Sequence, residues 1–218
     1  MANINQFNFK ELQDSEIMMT QECYIRLMSI LNVTGFQIGE HKCFLYGKEI
    51  APNKILLTDT NKFDDYITTG KGSKNPSDHG VYMESSSNIA KELLTKLKAN
   101  EENFIVCDIH THPSGISDGD DYRYFSGTDL QSAIDFSTAL KKLAPNVKFI
   151  NGLISVDNNK GNSVISFVWC DNGSQFYKLR NVSIVEKQGD QYIKVSSLKN
   201  MDGVEYLETN FNVEECSV

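Results

Sequence analysis

The sequence predicts a mixed α/β (α+β) domain: a central, mostly antiparallel β-sheet flanked by helices. Short runs rich in β-branched and aromatic residues recur over 147–156, 163–170 and 175–182, divided by Asn- and Gly-containing turns at 157–162 and 171–174. Helical spacing of apolar residues occurs around 18–31, 89–97 and 130–140. One further run, 104–113, reads as a fully buried strand ending at a proline.

In chain order, residues 1–16 form a polar lead-in, 17–182 the main domain, and 183–218 an extension with an acidic tail. The helix near 18–31 can be capped by Thr20 or Ser15. A hairpin is expected next, residues 33–39 against 42–50, with Gly39-Glu40-His41 as the turn. A long polar loop, 72–80, separates the strands at 56–58 and 81–83. Ser85, Ser86 or Ser87 then caps a helix that turns Ile89, Leu93 and Leu97 inward and its lysines outward.

The 218 residues suffice for one domain with a full core, 40% of them hydrophobic and 23% charged. A net charge of −8 with no basic run argues against a nucleic-acid partner. No apolar run reaches the length of a membrane span, and the N-terminus lacks a signal-peptide pattern, so a cytoplasmic protein is expected. The five cysteines, Cys23, Cys43, Cys107, Cys170 and Cys216, show no C-x-x-C spacing, which suggests reduced thiols.

The chemistry gathers at His110-Thr111-His112-Pro113 and Ser126-Gly127-Thr128-Asp129. Side chains alternate along a strand, so His110 and His112 leave one face and Cys107 the other. Asp129 stands in the first turn of the helix that follows and can point back to the strand end. Two histidines and a carboxylate make a three-ligand Zn2+ site with a fourth position free, the hydrolytic arrangement. Ser126 and Asp129 also fit a helix capping box, a purely structural alternative. Ser117 and Asp120 repeat the Ser-x-x-Asp spacing, but no helix opens there. His41 and His79 have no partner at ligand spacing. A metallo-β-lactamase-like site would continue as H-x-H-x-D-H, which Pro113-Ser114-Gly115 rules out.

These two motifs resemble the signature of the JAMM (MPN-type) metalloproteases, His-x-His-Pro, a loop, then Ser-x-x-Asp. The flanks 34–39 and 151–156 look like the family's first strand and the strand after its metal-site helix, so the likeness spans about residues 17–180. It implies a cytidine-deaminase-like layout, zinc on His110, His112 and Asp129, and an oxyanion contact from Ser126. It also implies a protein or ubiquitin-like C-terminal tail as substrate, cut at a peptide or isopeptide bond. Two departures stand out. The loop from Pro113 to Ser126 is longer than the family's, and acidic and aromatic. The position of the glutamate that activates water holds Asn32, which cannot take a proton. One reading is therefore a JAMM-type zinc peptidase; the alternative is an impaired or inactive MPN-type zinc-binding interaction module. In the expected hairpin, facing residues sum to 81, which sets Glu49 opposite Asn32, either as a substitute base with Asn32 helping to orient the water or as a solvated strand-end acid. Glu40, at the turn, is the poorer candidate.

Overall fold

The computed structural model describes residues 7–31, 39–63, 67–68, 81–99, 103–114, 122–157, 162–170, 175–179, 181–197 and 204–206. Its elements are β1 (Asn8–Glu11), β2 (Glu16–Thr20), α1 (Gln21–Ile30), β3 (Lys42–Ala51), β4 (Lys54–Thr60), β5 (Ile67–Thr68), β6 (Val81–Tyr82) and α2 (Asn88–Ala99). There follow β7 (Phe104–Pro113), α3 (Gly127–Leu143), β8 (Lys148–Asp157), β9 (Asn162–Cys170), β10 (Gln175–Leu179), β11 (Asn181–Gln188), β12 (Gln191–Ser197) and β13 (Val204–Tyr206). No helix among the described residues is long and apolar enough to cross a membrane.

The main sheet runs β1-β10-β9-β8-β7-β3-β4-β2-β11-β12, with β13 on β9; β5 and β6 pair separately. This corrects the expected mostly antiparallel, helix-flanked sheet: strand dominates, and the sheet is mixed and curled into a half-barrel. Neighbours are antiparallel at β10·β9, β9·β8, β7·β3, β3·β4 and β11·β12. They are parallel at β1·β10, β8·β7, β4·β2, β2·β11 and β13·β9. The curl follows from connectivity. In the sheet order β10 is second and β11 ninth, yet one residue joins them. Seven strand spacings of a flat sheet would measure about 34 Å, and one residue cannot bridge that. The β1-to-β2 link, residues 12–15, makes the same journey beside it. β11 also runs through residue 182, where the main domain was expected to end.

The expected hairpin partner of β3, residues 33–39, lies outside the described residues apart from Gly39. From Leu45 onward both edges of β3 are taken, one by β4 through the turn at Pro52-Asn53, the other by β7, so the register that would set Asn32 opposite Glu49 is closed. Asn53 holds the left-handed conformation (φ 61°) which that tight turn requires. β3 and β4 approach so closely at a bulge that a Cβ on Gly47 would collide with the Leu56 carbonyl. Residues 32–38, and with them Asn32, lie outside the described residues.

One face of the sheet buries Ile17, Met19, Leu45, Leu57, Cys107, Ile109 and Ile154 with Cys23 and Leu27 of α1. Thr20 caps that helix, its hydroxyl accepting from the Cys23 amide. The other face buries Phe44, Tyr46, Val106, Phe149 and Leu153 under Ile89 and Leu93 of α2 and Leu130, Ala133 and Leu140 of α3. Ser87 caps α2 by accepting from the Ala90 amide. All ten residues of β7 are buried between β3 and β8, so the strand that carries the histidines is held on both edges.

Candidate metal centre

On β7, Cys107 and Ile109 join the core under α1. Alternation turns Asp108, His110 and His112 to the α3 side. α3 begins there with a complete capping box: the Ser126 hydroxyl accepts from the Asp129 amide (3.1 Å), and the Asp129 carboxylate accepts from the Ser126 amide (2.7 Å). The structural and the metal-binding expectations for this motif therefore coexist. The box fixes the Asp129 carboxylate with both oxygens toward the histidines, Oδ1 3.4 Å from His110 Nε2 and Oδ2 3.4 Å from His112 Nε2. The two Nε2 atoms are 3.2 Å apart.

Those spacings suit a metal ion. Four ligand atoms around zinc at about 2.05 Å in a tetrahedron stand about 3.3 Å from one another. His110, His112 and Asp129 supply three such corners, and all three are capable ligands within 4.8 Å of one another. Phe125 packs edge-on against the His110 ring (centroids 6.3 Å apart), limiting its rotation.

A fourth side chain reaches the cluster. β3 and β7 pair Lys42 with His110, and the strands stay together past that point: the His41 amide donates to Thr111 Oγ1 and the Thr111 amide to the His41 carbonyl, both at 2.9 Å. The next facing pair on that side is Glu40 with His112, and Glu40 Oε1 lies 3.7 Å from His112 Nε2. Burial raises the Glu40 carboxyl above its ordinary pKa, against the pull of the two imidazoles. Burial also opposes the charged form of Asp129, but the imidazoles outweigh it and hold that carboxyl well below its usual range. His112 is disfavoured as a cation by burial, yet Asp129 and Glu40 raise it above its ordinary value.

Glu49, the expected substitute base, is at the other end of the strands. Its amide donates to the Asn103 carbonyl, and its carboxylate takes Lys148 Nζ and the Asn53 amide. Position 103 is seven residues from His110, roughly 23 Å along a strand, so Glu49 cannot serve the centre. The register differs from the expected one: facing residues on β3 and β7 sum to 152, which sets Glu49 beside position 103. In the sequence Gly39-Glu40-His41 reads as a turn, which hides Glu40 from the site. The available signal was the alternation Glu40, Lys42, Phe44, which shares one strand face. Ser117, Asp118, Asp120 and Asp121 of the acidic loop, and His79, lie outside the described residues.

No family model matches the chain, and no curated protein matches it significantly.

Proposed function

We propose that this chain is a zinc-dependent hydrolase of the JAMM type, cutting a peptide or ubiquitin-like isopeptide bond, with Glu40 as its general base. The observation that carries the reading is one carboxylate, not itself a ligand, facing a His-His-Asp cluster of tetrahedral spacing. Zinc held by His110, His112 and Asp129 would supply Lewis-acid polarisation of a carbonyl and of water. Glu40 takes a proton from the attacking water as the new C–O bond forms. Ser126 Oγ already accepts from the Asp129 amide, so its own proton is free to donate to the carbonyl oxygen as charge gathers there. Glu40 then returns its proton to the amine nitrogen as the C–N bond breaks, leaving a carboxylate and an amine. Burial of Glu40 suits the first duty, because a carboxylate raised above its ordinary pKa takes a proton more readily than an exposed one.

The substrate class rests on the resemblance of the two motifs alone. The four described cysteines are buried free thiols, which fits a reducing, cytoplasmic setting. The competing reading, a silent binding module, rested on Asn32, and Glu40 offers the acid that position lacks.

The test is a set of three variants assayed on a ubiquitin C-terminal conjugate and on unselected peptides. His112→Ala should lose the roughly one zinc per chain that the parent carries. Glu40→Gln should keep the zinc and lose hydrolysis by about 100- to 10,000-fold, the scale of general-base catalysis. Glu49→Gln should behave as the parent. Full activity in Glu40→Gln would remove this carboxylate from the reaction, and a zinc-loaded parent inert on every substrate would favour the binding module.

A further inference from the structure

The face that carries the histidines holds a second charged pair that the hydrolytic scheme leaves unused. Asp108 stands two residues before His110 on β7, buried and no part of the ligand group. Lys42 stands directly opposite His110 on β3, and its Nζ reaches Asp108 Oδ2 at 2.6 Å. Opposed residues on antiparallel strands share a face with Cβ atoms about 5 Å apart, so Lys42 borders the centre one strand spacing from His110. The lysine side chain is 18% exposed and the aspartate 12%, so the ammonium is the more open partner. The carboxylate has no other partner among the described residues, its Oδ1 being buried without a hydrogen bond.

A pair of this kind adds little to stability: buried ion pairs can often be replaced by apolar residues at no net loss. What it does provide is a cation fixed in place. An ammonium tethered through one of its three protons keeps donors free for a ligand.

We propose that Lys42, positioned by Asp108, binds a carboxylate of the substrate one residue away from the carbonyl held at the metal centre. One residue of extended chain spans about 3.3 Å and adjacent strands lie about 4.8 Å apart, so the two contacts suit neighbouring groups of one ligand. That carboxylate is either the free C-terminus of a chain or an Asp or Glu side chain. The inference rests on His110, His112 and Asp129 holding a metal.

The experiment uses the full chain loaded with Co2+, whose visible spectrum reports ligands at the centre. Three probes are titrated: N-acetylglycine (terminal carboxylate), N-acetylaspartic acid α-amide (side-chain carboxylate) and N-acetylglycinamide (neutral). The parent should bind one carboxylate probe at least about tenfold more tightly than the neutral one, the range of a charge-assisted hydrogen bond. Whichever acid is preferred identifies the source. Lys42→Met should lose that preference while taking up Co2+ as the parent does, and Lys42→Arg should restore part of it. Asp108→Asn, which releases the lysine, should weaken the preference without abolishing it. Equal preference in Lys42→Met would mean that the acid binds the metal directly, and would overturn the proposal. Loss of Co2+ uptake in both Lys42→Met and Lys42→Arg would make the pair part of the scaffold and overturn it equally. A parent that takes up no Co2+ overturns the metal centre itself, and this inference with it.

Discussion

The proposed reaction gives the one hydroxyl of Ser126 two uses. Its oxygen lone pair accepts from the Asp129 amide and so holds α3 in position, while its proton remains to be given to a substrate. The two uses separate experimentally. Ser126→Ala should leave zinc content near the parent's, lower hydrolysis by about a hundredfold or more, and lower stability by about 1 kcal/mol for the lost cap. An unchanged rate with reduced stability would restrict the residue to capping. Asp129 divides its labour in the same way, with Oδ2 shared between the Ser126 amide and His112 while Oδ1 faces His110. A cap that also aims this carboxylate at the imidazoles cannot drift without loosening both contacts.

Among elements, β7 is the reference to which the centre is built, and β3 brings to it the acid and the lysine. Gly47 tests that arrangement, because its lack of a side chain lets β3 close on β4 at the bulge. Gly47→Ala should cost about 1–3 kcal/mol, the usual range for forcing atoms into a packed site, and lower Tm by several degrees. A variant as stable as the parent would contradict the close approach of β3 to Leu56 of β4 at the bulge. The two halves of the centre differed in how far the sequence disclosed them. His110 and His112 are two apart on one strand and Asp129 sits three after its own cap, so local periodicity sufficed. Glu40 depends on a pairing between residues 68 apart, Lys42 with His110, and no short-range pattern encodes it. The same distinction explains the fold. The Asn- and Gly-rich turns announced antiparallel neighbours such as β8·β9, whereas the parallel pairs β2·β4 and β2·β11 have no turn to announce them.

At the scale of the whole molecule, the interior holds thiols out of water. Burial pushes the Cys23 thiol up to about 12 from an ordinary 9.0, and Cys43 and Cys107 lie well above their ordinary value for the same reason. In the unfolded chain these groups ionise near pH 9; in the folded one they stay protonated. The unfolded state then binds fewer protons, so stability is whole below about pH 9 and falls as pH rises toward 12. The urea midpoint should drop between pH 8 and pH 10.5, and less steeply in Cys107→Ala. A midpoint that does not move would mean the thiols ionise in place. The bent strands have a consequence in time. β1 finds its strand partner only in β10, and β2, which β4 can join early on one edge, finds the partner for its other edge only in β11, some 165 residues later. On a ribosome β1 must therefore wait unpaired, and β2 with one edge open, until almost the last strand has been made. Such distant pairing slows folding and leaves a nascent chain open to aggregation, so a chain stopped before residue 175 should depend on a chaperone for its solubility.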